Sequence, residues 1–149
     1  MDKLTIDRGL LLTGTALQNL MKAGKVAGGR LLDARSGLMC CLGVYCASQG
    51  VPAHDLDGVG MPSAIGYAGP EKWLKRPVTD AEAKSIQRDS KVIIDVQDAI
   101  AQTNDNPKLH PSRREARIAK LFKKYGGIDV TFTGSYREST AKARARLAA

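Results

Sequence analysis

The residues best equipped for chemistry in this chain are the arginines crowded into Ser112-Arg113-Arg114-Glu115, with Arg117 one turn further on. The first turn of a helix carries unpaired N–H groups and about half a positive charge from the macrodipole. Acidic side chains belong there, so each guanidinium in that turn works against the local field by ~0.3–1 kcal/mol. A broken local rule marks a candidate site. An anion over the turn would meet amide donors, the dipole and guanidinium forks together, which is how phosphates are commonly held. Asn104, Asp105 and Asn106 lie just upstream and supply hydrogen-bonding groups suited to a base or a sugar. Tyr45, Tyr67 and Trp73, upstream of the last helix, are aromatics with faces for base stacking, and Tyr45 and Trp73 complete the candidate ligand-binding set. Each of these residues also has a plainer reading, as a solvated or ion-paired arginine, a turn residue or a core aromatic.

Other chemistry is thinly represented. Cys40, Cys41 and Cys46 form an odd set in one short segment, which suits reduced, buried small residues better than a disulfide framework. His54 and His110 are isolated, so neither completes a zinc set nor can be placed beside a cysteine as an activating base. No metal and no cofactor are expected. The chain has no GxSxG, Walker or HExxH motif, and Gly58-Val59-Gly60 lacks the rest of a dinucleotide fingerprint. Asp55 and Asp57, in the Gly-rich loop, offer a carboxylate pair for acid/base work on a nucleotide.

These groups need a scaffold, and 149 residues suffice for one core without disulfide or metal support. The expected fold class is α+β, one domain over residues 1–149, with 135–149 a frayed or disordered tail. A first helix is predicted from Thr15 to Ala23, with Gly24 as its left-handed terminus. Arg30–Asp33 and Leu38–Cys40 flank a turn at Ala34-Arg35-Ser36-Gly37 and are predicted to form a β-hairpin. The apolar run from Cys40 to Gln49 is predicted to be a buried helix, with Gly43 permitting close packing and Gly50 and Pro52 marking its stop. Residues 51–77 are too rich in glycine and proline for long elements. Thr79 and Glu82 form a capping box for an exposed helix from Asp80 to Arg88. Lys91–Val96 is predicted as a strand and Gln97–Thr103 as a helical turn, ended by Asn104-Asp105-Asn106-Pro107. Ser112 and Glu115 form a second capping box for a helix whose apolar stripe is Ile118, Leu121, Phe122 and Tyr125. Gly126-Gly127 ends that helix, and Ile128–Thr133 alternates as a strand with one buried face.

The segment Gly29-Arg30-Leu31, then Cys40-Cys41-Leu42-Gly43-Val44-Tyr45-Cys46, then Ala99-Ile100-Ala101-Gln102-Thr103-Asn104-Asp105 resembles a family of small accessory proteins of tailed bacteriophages. The similar portions span about half of the chain. This sequence departs from the family pattern at Tyr45, where leucine is usual, and at Ala47, where aspartate often follows the cysteine. The resemblance implies a helix, hairpin and CCLGV-type helix followed by a final amphipathic helix, and the cytoplasm of an infected bacterium as the setting. It carries no established activity. Small phage accessory proteins often bind something of the host's, including nucleotide immune signals, and this class of function gains weight by analogy.

A net charge of +8 favours anionic partners. The expected partner is an anionic small molecule, such as a cyclic or ADP-ribose-type nucleotide, that is sequestered and left chemically unchanged. One alternative is nucleic acid or a host protein bound by the arginine-bearing tail and the basic face to which Lys120, Lys123 and Lys124 add; another is a small enzyme acting on a nucleotide. No membrane partner is expected, because the richest apolar run, Leu38–Ala47, falls short of the roughly 20 residues a span needs. The amino end has no signal-peptide pattern, so the chain is expected to stay where it is made. A short chain building a nucleotide pocket would draw walls from a second copy, so a homo-oligomer is expected.

Overall fold

The computed structural model describes residues 3–14, 17, 22, 24, 31–33, 37–65, 72–86 and 95–134. In chain order the elements are β1 (Lys3–Asp7), β2 (Leu32–Asp33), β3 (Leu38–Met39), α1 (Cys41–Ser48), α2 (Ala53–Leu56), a 3-10 turn (Pro62–Ala64), α3 (Asp80–Ile86), α4 (Val96–Asp105), α5 (Pro111–Gly126) and β4 (Asp129–Thr133). This is a small α+β fold with a hairpin. No helix among the described residues is long and apolar enough to cross a membrane.

β1 and β4 pair in parallel, Lys3 opposite Asp129 through Asp7 opposite Thr133. Leu4 and Ile6 alternate with exposed Lys3 and Thr5, so the sheet turns one face inward. Against that face lie α1 and α5, and Leu42, Ile118 and Phe122 are fully buried there. The corner is tied by Arg8, whose guanidinium meets both carboxylate oxygens of Glu115 at 2.7 Å and the carbonyl of Gly134. β1 was not predicted, because its pairing partner is distant in sequence and five residues ending in charges give a weak period.

The hairpin forms as expected, with Leu32 opposite Met39 and Asp33 opposite Leu38. α1 also forms, and Gly43 explains how it docks. A Cβ on Gly43 would stand 2.0 Å from the carbonyl oxygen of Leu31, so only glycine lets this helix lie against that backbone. The capping box of α3 is present: Glu82 N–H donates to Thr79 Oγ1 at 3.2 Å and Thr79 N–H to Glu82 Oε1 at 3.1 Å.

Three boundaries differ from expectation. Val96 is the first residue of α4 rather than the end of a strand, because Asp95 caps the helix by accepting from the Asp98 amide at 2.9 Å. The same helix continues through Asn104 and Asp105, and the turn begins only at Asn106, whose Oδ1 accepts from Lys108 N–H at 3.0 Å. α5 starts two residues earlier than predicted, capped at His110 and not at Ser112. His110 Nδ1 accepts from Ser112 N–H at 3.2 Å, and Pro111 takes the first helical position, where its missing N–H costs nothing. Glu115 therefore does not close a capping box and is turned to Arg8.

Of the predicted first helix, Leu17 is buried and Gly24 has φ +68°, while most of Thr15–Ala23 lies outside the described residues. Outside them too lie Lys91–Ile94, Tyr67, the hairpin tip at Ala34–Ser36 and the tail from 135 to 149.

Candidate functional site

The turn between α4 and α5 brings together the residues singled out by sequence and gives them different duties. Arg114 is 6% exposed. Its Nη2 donates to the carbonyl oxygens of Asn106 at 2.9 Å and Leu109 at 2.8 Å, so a cation closes the carboxyl end of α4, where the helix field is negative. Gly14 makes room for it, since a Cβ there would sit 2.0 Å from that same nitrogen. Arg114 thus leaves the expected ligand-binding set: its guanidinium is aimed into the protein.

Asn104 leaves the set for the same reason. It has no exposed surface. Its Oδ1 accepts from Cys41 N–H at 3.1 Å, satisfying an amide in the first turn of α1. Its Nδ2 donates to the Leu12 carbonyl at 3.0 Å and to Asp105 Oδ1 at 2.8 Å. Asp105 and Asn106 are half-buried in this network.

Tyr45 and Trp73 are brought together, but as core. The Trp73 indole donates to Tyr45 Oη at 3.1 Å, and the rings meet edge to face at 5.5 Å between centroids. Phe122 completes the cluster at 5.7 Å from Tyr45 and 5.3 Å from Trp73. Tyr45 is only 4% exposed, so neither of its faces is open to a base. Gly126 seats the indole, since a Cβ there would lie 2.9 Å from the Trp73 ring.

What remains is a groove between α3 and α5. It has a volume of about 330 Å3 and is lined by Arg113, Arg117 and Lys120 together with Glu82, Ser85, Ile86, Ala116 and Leu121. The three cations stand at i, i+4 and i+7, one face of a helix. Ile86 and Leu121 belong to the core and give the groove an apolar floor. Arg117 Nη1 donates to the Ser85 carbonyl at 3.2 Å, which ties the arginine to the opposite wall. Lys123 pairs with Asp129 at 3.0 Å, and Lys124 pairs with the groove's own Glu82 at 3.1 Å.

Glu82 is the residue that sequence reasoning assigned only to a cap. Burial alone would raise its carboxyl, but hydrogen bonds from Tyr125 and Thr79, with the Lys124 ammonium, overcome that and hold it at about 2. The Tyr125 phenol is raised, through burial first and its hydrogen bond to Glu82 second. The groove therefore presents three cations and one carboxylate that stays ionised.

A second cavity, of about 550 Å3, opens between the hairpin, α1 and α2, lined mainly by Leu32, Met39, Val51 and Leu56, with His54 and Asp57 its polar groups. Asp55 stands 3.4 Å from His54 Nε2. The cysteines are unbridged. Burial pushes the Cys40 thiol up to about 12 and, with Cys40 and Asp105 adding to it, the Cys41 thiol well above its ordinary range. Neither is a thiolate at neutral pH. Among the described residues no three metal-ligating side chains cluster.

The fold and groove define a small α+β protein with a basic cleft on the outer side of its longest helix. No family model, curated protein or solved structure matches the chain.

Proposed function

We propose that this chain is a phage accessory, counter-defence protein that captures a phosphate-bearing small molecule, a nucleotide immune signal of the infected host, in the groove between α3 and α5. The observation that carries the reading is the convergence of Arg113, Arg117 and Lys120 on one cavity with an apolar floor. Guanidinium forks bind phosphate oxygens two at a time, and a lysine adds a point charge. Ile86 and Leu121 offer apolar contact to the body of the ligand.

About 330 Å3 stands at the lower end of the ~300–1,000 Å3 typical of small-molecule pockets. One phosphate and its sugar fit that space, and the rest of a cyclic or ADP-ribose-type nucleotide extends across the neighbouring surface. The phage setting, in the host cytoplasm, rests on the resemblance carried by Cys40-Cys41-Leu42-Gly43-Val44. Sequestration is favoured over turnover because the groove is lined by a single carboxylate, held ionised, and by no thiol. A nucleic-acid backbone is the weaker fit, since Lys123 and Lys124 pair with acids and interrupt the basic face it would track.

Calorimetric titration with a panel of mono-, cyclic and ADP-ribose-type nucleotides tests the reading. Binding is expected to weaken by about 1.5–3 kcal/mol in each of Arg113→Ala and Arg117→Ala, the worth of a hydrogen bond to a charged group. Absence of binding across the panel at millimolar ligand, or affinities unmoved by both substitutions, overturns it.

A further inference from the structure

The groove has an acidic wall facing its basic one, and the two do not neutralise each other. Glu82 Oε1 is saturated, receiving Thr79 N–H at 3.1 Å, the Thr79 hydroxyl at 2.8 Å, the Lys124 ammonium at 3.1 Å and the Tyr125 hydroxyl. Among the described residues no donor meets Oε2. The side chain is 16% exposed and Glu82 is among the residues that line the groove. Arg117 turns to the Ser85 carbonyl instead of to Glu82. Four donors on one oxygen leave the carboxylate no freedom to swing toward the cations. A ligand bridging the two walls must then carry negative charge at one end and a hydrogen-bond donor at the other.

We propose that the groove selects sugar phosphates, with the phosphate held by Arg113, Arg117 and Lys120 and a sugar hydroxyl donating to Glu82 Oε2. This rests on the phosphate-capture reading and adds to it the class of ligand accepted. A hydroxyl is the fitting donor, because an ionised carboxylate accepts hydrogen bonds and offers none. Lys124, at 3.1 Å, compensates the Glu82 charge, so Glu82 acts as a specificity residue through the hydrogen bond its second oxygen accepts. Its fixed ionisation keeps this effect constant across the neutral pH range.

The probes are inorganic phosphate and ribose 5-phosphate, titrated calorimetrically into the wild-type chain and into Glu82→Gln, with circular dichroism to establish that the variant is folded. Gln keeps an oxygen for the Thr79 amide, so the start of α3 survives the change. Ribose 5-phosphate is expected to bind the wild type roughly tenfold or more tightly than phosphate, as a charge-assisted hydrogen bond allows. In Glu82→Gln that advantage is expected to vanish, while phosphate itself binds as well or better because a nearby negative charge is gone. Equal affinities for the two probes in the wild type overturn the sugar-phosphate selection and leave phosphate capture standing. Failure of both probes to bind overturns phosphate capture as well. The wild-type comparison needs no variant, so misfolding of Glu82→Gln does not shield the proposal.

Discussion

Replacing Asn104 by alanine separates its structural duty from a ligand-binding one. The truncation strands Cys41 N–H and the Leu12 carbonyl, both of which the amide now serves at 3.1 and 3.0 Å. A buried backbone group left unsatisfied costs about 1–3 kcal/mol, so the pair costs roughly 2–6 kcal/mol, with the lower end reached where water enters the vacated space. Against a total stability of about 5–15 kcal/mol this is a large fraction. At a middling loss of about 3 kcal/mol, the melting temperature of a chain this size drops by roughly 6–12 °C. Urea denaturation and a thermal melt of wild type and variant measure it. Asn104→Asp is expected to be at least as damaging, because it removes the donor to Leu12 and sets a second carboxylate against Asp105. A loss below about 0.5 kcal/mol for Asn104→Ala, accompanied by weaker nucleotide binding, would refute the structural reading and return the residue to the ligand.

Gly43→Ala is expected to cost about 1–3 kcal/mol or more through overpacking, because its Cβ meets the Leu31 carbonyl at 2.0 Å; Gly127→Ala, with φ +65° and open space around it, costs only the ~1–2 kcal/mol of a left-handed backbone. Urea midpoints compare the two, and a harmless Gly43→Ala rules out the close approach of α1 to Leu31. Acid should uncover Glu82: its folded value of about 2 lies below the ordinary 4.5, so its contribution is present above 4.5 and is lost as pH falls from there toward 2. Wild-type stability is expected to fall more steeply than that of Glu82→Gln over this window, and parallel curves of urea midpoint against pH contradict the network.

The elements that were legible in the sequence are those whose signal is local. Ile118, Leu121 and Phe122 recur at helical spacing and are all buried, and the Thr79–Glu82 cap forms as written. The start of α4 was hidden because a β-branched run leads into Val96, and the deciding group, the Asp95 carboxylate, competes with that run through one hydrogen bond. The helix-start arginines were legible as an anomaly, but not where each points. Arg114 turns inward because Gly14, a hundred residues upstream, leaves space for its guanidinium. Arg113 and Arg117 line the groove because α3 lies alongside α5, and nothing in either segment alone announces that neighbour.

The parallel pairing of β1 with β4 also sets a timetable. About 120 residues separate the strands, and closing so long a loop is slow relative to local helix formation. At synthesis rates of ~5–20 residues per second, a nascent chain holds β1 without its partner for roughly 6–25 s. During that interval Leu4 and Ile6 have no sheet to enter, and the Arg8 clamp cannot close until Glu115 has left the ribosome. Completion of the native sheet therefore waits on β4, which follows both walls of the α3–α5 groove in the chain.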